Sequence, residues 1–141
     1  MGDRHDATTP RREPPVGLDL LATRVLDAAF EVHRVLGPGF GELVYENALC
    51  IELEERRVAF ARQSRILVQY KGRCVGEGRA DIVVADELVL ELKAIDALAA
   101  IHTAQLLAYL KATGRQLGLL INFNVLRLAQ GIRRVVLTPS F

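Results

Sequence analysis

The sequence predicts an α/β domain: a mixed β-sheet flanked by helices. Apolar residues recur every three to four positions in two early stretches and again in a later one, the spacing of amphipathic helices. Between them the chain alternates apolar and polar residues, as strands do. Two further apolar runs follow the last helix, giving the order α-α-β-β-β-β-α-β-β.

The first helix is read over Leu18 to Leu36, where Leu18, Leu21, Val25, Leu26, Ala29, Phe30 and Val32 keep helical spacing. GPGFG at 37–41 ends it. Beyond the break a second helix carries Glu42, Tyr45 and Glu46 in its first turns, takes Leu43, Val44, Ala48, Ile51 and Leu53 as its apolar run, and ends in EERR. Ile66, Val68 and Tyr70 then alternate with polar residues up to a Lys71-Gly72 turn and a short return strand, Arg73 to Val75. A second hairpin joins Arg79–Val84 to Leu88–Ala94 through the three residues 85 to 87. Helical spacing returns over 97–113 and closes at Gly114, a residue suited to a left-handed cap. Leu117–Ile121 and Arg133–Leu137 read as closing strands around an irregular stretch marked by Asn122, Asn124 and Gly131.

Half of the 141 residues are apolar, enough for the core of one domain. Residues 1–16 are polar, hold three of the five prolines and show no apolar period, so they read as a disordered lead-in to a single domain over 17–141. Neither a signal-like apolar stretch nor a run of roughly 18 apolar residues occurs, which predicts a soluble, cytoplasmic protein without a membrane partner. Cys50 and Cys74 lack CxxC spacing and a nearby His pair; a disulfide framework and a structural zinc are not expected, and both read as small buried hydrophobes. Residues 1–55 carry 5 basic and 11 acidic groups, residues 56–141 carry 13 and 6, and the last 45 residues hold no acid. Such asymmetry suits a basic face toward a polyanion, though an uneven solvated surface gives the same count.

Chemistry is suggested by LVLELKAID, 88–96, where Glu91 and Lys93 interrupt a core strand. The hairpin register pairs 84 with 88, 82 with 90 and 80 with 92, so Ala80, Ile82 and Val84 meet Leu92, Leu90 and Leu88 while Asp81 faces Glu91. Two carboxylates directly across a ladder repel. A divalent cation relieves that repulsion, and Mg²⁺ or Mn²⁺ prefers such hard oxygens, with water and phosphate in the remaining positions. Lys93, two residues along the same face, is placed to orient or deprotonate an attacking water. On the following helix His102, Gln105 and Tyr109 form one polar stripe, with Ile101, Ala104, Leu107 and Leu110 elsewhere around it. Glu42 is either a first-turn acid favoured by the helix dipole or a third carboxylate for the metal.

LGPGFGELVYENAL, 36–49, resembles the signature of the GxxExxY protein family, carried by Gly39, Glu42 and Tyr45; GEGRADIVV, VLELKAI and HTAQLLAYLKATGRQLGLLINFNV resemble its remaining blocks in the same order. That family is grouped with the PD-(D/E)XK nucleases, whose core is a mixed sheet between helices. The resemblance implies metal-assisted hydrolysis of a DNA phosphodiester. It implies Asp81, Glu91 and Glu42 as metal ligands, Lys93 as the motif lysine, and Gln105 and Tyr109 as the Q-xxx-Y pair; His102 and Tyr45 complete the expected substrate contacts. Ala80 replaces the proline of the superfamily's name, and Gly41 replaces a usually apolar residue, which would loosen the start of the Glu42 helix. Nucleic acid, with DNA preferred, is the expected partner, and a homodimer is compatible with the sequence. The alternative on the same fold is a catalytically silent module for nucleic-acid binding or assembly.

Overall fold

Helix α1, Val16–Leu36, is unbroken because Leu18, Ala22, Val25, Ala29 and Val32 return to one side every three or four residues and are buried there. The computed structural model describes residues 16–138, so the lead-in expected over 1–16 lies, apart from Val16, outside the described residues. Gly37 stops α1 in the left-handed conformation, φ 66°, its N–H returning to the His33 carbonyl.

Helix α2, Glu42–Glu55, buries a different side from the one expected. Leu43, Val44 and Ile51 are exposed, and Tyr45, Glu46, Leu49, Cys50 and Leu53 face inward. A count of apolar residues misses this side because it contains a glutamate. Gly41 caps α2 in extended backbone, its carbonyl accepting the Val44 N–H, so the helix starts where the sequence predicts.

Five strands follow the sheet order β1-β2-β3-β4-β5. β1 is Phe60–Tyr70, β2 Arg73–Val84, β3 Leu88–Lys93, β4 Leu117–Asn122 and β5 Ile132–Val136, with α3, Ala100–Thr113, crossing between β3 and β4. All neighbours are antiparallel except β3 and β4, which are parallel as a helical crossover requires. The order is thus α-α-β-β-β-α-β-β: the two strands expected over 73–75 and 79–84 are one continuous β2. Gly76 and Gly78 look like breaks in sequence, but Gly78 is small for a packing reason. A Cβ there would stand 2.8 Å from Cε1 of Tyr109, whose ring lies against the strand.

The sheet separates two apolar clusters. Ile82, Val84, Leu88, Leu90 and Leu92 pack toward α1 and α2 together with Phe123, whereas Val83, Val89 and Leu120 pack with Leu106 and Leu110 of α3. Ile101 and Ala104, expected on the apolar side of α3, are exposed. Cys50 is buried as expected and Cys74 is not, because it lies where β1 and β2 run past the core. Among the described residues no helix is long and apolar enough to cross a membrane.

Candidate active site

The GPGFG loop is built around Tyr45. Its hydroxyl donates to the Gly37 carbonyl at 2.6 Å and accepts the Phe40 N–H at 3.2 Å, and its ring stacks on Phe123 with centroids 4.6 Å apart. Gly39 supplies the turn at φ 115°, a conformation that side chains disfavour. Tyr45 is fully buried, so the substrate contact expected of it is corrected to an internal tie that fixes where α2, and with it Glu42, begins. Glu42 itself is exposed.

Asp81 and Glu91 lie on adjacent strands where the ladder ends. β2 and β3 pair through Val84↔Leu88, Val83↔Val89 and Ile82↔Leu90, the register read from sequence, and one step further two side chains take over. The Asp81 N–H donates to Oε2 of Glu91 at 3.1 Å, and the Leu92 N–H donates to Oδ2 of Asp81 at 2.7 Å. Each acid thereby holds the other strand's backbone. The second oxygen of each accepts nothing from a described residue. No fully buried side-chain oxygen among the described residues lacks a partner, so both second oxygens reach solvent.

On the other side of β2 the ladder also skips this step: Arg62↔Ile82 and Ser64↔Ala80 pair, while Gln63, across from Asp81, does not and has a φ of 50°. The alternation of faces reverses here. Ile82 belongs to the α1/α2 cluster but Ala80, expected beside it, packs with Ile66 on the α3 side. Gln63 and Asp81 thus mark a local break in two strands at once, of the kind that gathers at functional sites.

Electrostatics follow from this placement. Glu91 is only 6% exposed. Burial, and next the neighbouring Asp81 charge, push its carboxyl up to about 8, against the opposing pull of the Asp81 N–H and Lys93. Asp81 is raised too, chiefly by burial and further by Glu46 and Glu42, with the Leu92 N–H and Lys93 working the other way. Lys93 is half-buried and makes no hydrogen bond or ion pair with a described residue, yet its charge acts on both acids.

Two solvent-reaching carboxylate oxygens in surroundings that penalise negative charge fit a hard divalent ion whose other positions are filled by water and phosphate. Among the described residues no three His, Cys, Asp or Glu side chains gather into a ligand cluster, so the structure brings Asp81 and Glu91 together without Glu42 as a third. Glu42 bears on the pair through its charge.

Gln105 and Tyr109 face each other along α3, Gln105 Nε2 standing 3.5 Å from the Tyr109 hydroxyl, with Gln105 exposed and Tyr109 half-buried. His102 is engaged locally: its Nδ1 accepts the Ala99 N–H at 2.9 Å, which closes the first turn of α3 and explains why the helix starts at Ala100 and not at 97. Its neutral form therefore carries the proton on Nε2.

Four residues of the site's frame, Glu46, Arg62, Gln63 and Asn122, were not singled out by sequence. Glu46 is buried, with Oε2 held by Arg62 Nε and Nη2 at 3.0 and 2.8 Å and Oε1 by Gln63 Nε2 at 3.0 Å. This fork places a negative charge on Asp81's flank and fastens the break in β1 to α2. Glu46 lies four residues after Glu42, the only sequence signal of a shared helix side. Asn122 is buried beside Lys93 in the β3–β4 register; its amide donates to the Ile95 carbonyl at 2.9 Å and accepts the Ile95 N–H at 3.1 Å. It copies a strand partner just where β3 ends. Asn122→Ala is expected to cost about 2–4 kcal/mol, since it strands a donor and an acceptor; urea unfolding reads the loss as a lower midpoint at unchanged slope.

Comparison with known proteins agrees with the geometry. The PD-(D/E)XK nuclease superfamily profile matches residues 19–135, and the chain belongs to that superfamily. Membership points to a nuclease-like function on nucleic acid, and the superfamily's nucleases typically use divalent metals. No curated protein matches the chain. The solved structure of SSO0001 is similar over 90% of this chain and 80% of its own, at 17% identity and a TM-score of 0.49, a likeness that adds nothing to the assignment.

Proposed function

We propose that the protein is a metal-dependent nuclease of the GxxExxY branch that hydrolyses phosphodiester bonds of nucleic acid, DNA in preference to RNA. The observation that supports it best is the mutual grip of Asp81 and Glu91. Two acids from adjacent strands are held by each other's backbone in a poorly solvated place, at a cost that a bound cation removes.

In this reading Asp81 and Glu91 hold Mg²⁺ or Mn²⁺, and Glu42 adds to the negative field around them. The ion supplies Lewis-acid stabilisation of the charge that develops on the phosphate. Lys93, unpaired by any described carboxylate, orients the attacking water, takes part in its deprotonation and offsets phosphate charge. Gln105 and Tyr109 present an amide and a hydroxyl to the phosphate or the nucleotide. Asn122, bonded to the Ile95 backbone, fixes the end of β3 just beyond Lys93.

Titrating Mg²⁺ and Mn²⁺ against labelled single- and double-stranded DNA and RNA tests the reading, with Lys93→Ala as control. Metal-dependent cleavage by the wild type, reduced about 10²- to 10⁴-fold in Lys93→Ala, is the expected result. Salt-dependent binding indifferent to chelator, without cleavage of any strand, would mean the silent binding module instead.

A further inference from the structure

Past the core, β1 and β2 continue as a free two-stranded ribbon. Residues 67–77 are exposed, so neither face of the ribbon's outer part is covered. Lys71 and Gly72 close it at φ 51° and 79°, the positive-φ pair that suits a tight, twisted hairpin turn. Tyr70 and Arg73 pair at its mouth, and the Lys71 ammonium stands 5.5 Å from the centre of the Tyr70 ring. Its tip therefore joins one aromatic and two cations.

Charge along the ribbon is one-sided. Arg65 and Arg79 face each other directly across the ladder, an arrangement that repels unless an anion intervenes. Glu77 neutralises Arg65 at 2.6 Å, leaving Arg79, Lys71 and Arg73 without a carboxylate partner among the described residues. Arg79 is also only two residues from Asp81. From Gln63, which lies across from Asp81, to Tyr70 is seven residues, so the ribbon runs roughly 23 Å from the paired acids to its tip. That length is about seven base-pair steps of a duplex.

We infer that the β1–β2 ribbon is the arm that holds double-stranded DNA, its unneutralised cations on the phosphate backbone and its tip entering the major groove. This rests on the nuclease reading and deepens it. A two-stranded ribbon fits the major groove of B-form DNA, whereas the deep, narrow major groove of an RNA duplex does not admit one. Exposed Leu67, Val68, Tyr70 and Val75 would also suit a second copy of the chain. Identical arms of like charge repel each other, however, which favours the polyanion.

The test is fluorescence anisotropy with a labelled DNA duplex in chelator, over a salt series, for the wild type, Lys71→Ala/Arg73→Ala and Arg79→Gln. All three positions are exposed, and an unchanged melting temperature in chelator serves as the folding control. The tip double variant should bind about tenfold more weakly and show a salt slope shallower by roughly 1.8 units, 0.9 for each lost phosphate contact. Arg79→Gln should lose about one such contact, and single-stranded DNA or duplex RNA should compete poorly for the wild type. An unchanged slope in the tip variant with the Mn²⁺ response intact would overturn the arm and leave the nuclease reading standing. A dimer that only the tip variant loses, with DNA affinity unaltered, would hand the surface to a second copy. Slopes that fall as expected in a protein that neither cleaves nor responds to metal would uphold the arm and sink the nuclease reading.

Discussion

Asp81→Asn is expected to abolish the stabilisation that Mn²⁺ or Mg²⁺ gives the wild type. A ligand that binds only the folded state at a hundredfold excess over its Kd adds about 2.7 kcal/mol. For a domain of this size that raises Tm by roughly 8–15 °C. The amide of asparagine keeps the shape, and its oxygen still accepts the Leu92 N–H, so the strands stay joined. What disappears is one of two charges that make a hard cation welcome. Scanning calorimetry with and without metal should show a clear upward shift for the wild type and almost none for the variant, and cleavage should fall with it. A shift of equal size in both proteins would place the metal elsewhere.

Glu91 makes the second large prediction, and its sign is less obvious. Its carboxyl is pushed up to about 8 in the folded chain, from 4.5 when unfolded. Between those values the unfolded state has given up a proton that the folded state keeps, so stability is full below about 4.5 and is lost as pH rises toward 8. Asp81, raised in the same direction, adds to the decline. Metal-free protein should therefore weaken steadily from pH 5 to 8, by an amount on the order of a few kcal/mol. Glu91→Gln cannot lose that proton; its midpoint should fall less across the range, by the part Asp81 contributes, stand above the wild type at pH 8, and yet ignore added metal. Denaturant unfolding at several pH values in chelator checks both statements. A wild type whose stability rises with pH over this window would refute the burial of Glu91.

Part of this site is legible in the sequence. The hairpin register around 85–87 is fixed by a short connection and alternation as far as Ile82 and Leu90, and side-chain hydrogen bonds bring Asp81 and Glu91 together one step beyond. Legibility ended where tertiary structure overrides local pattern. The face reversal at Gln63 has no sequence mark, because a glutamine at positive φ is held there by Glu46 from another element. The same Glu46, bound by Arg62, hid the buried side of α2, since it counts as polar in any periodicity. Tyr45 was expected among the substrate contacts, but both partners of its hydroxyl lie in the loop just before it. The gap left between the strands expected over 73–75 and 79–84 holds two glycines, and one of them, Gly78, is a socket.

That socket ties together two positions far apart in the chain. With no side chain at 78, the ring of Tyr109 can lie against the strand and leave its hydroxyl beside Gln105. A larger residue at 78 displaces the ring, and a smaller one at 109 empties the space that 78 keeps open. A change at either position is therefore felt at the other, so the smallest residue of a strand governs which polar atom a helix shows to its surroundings.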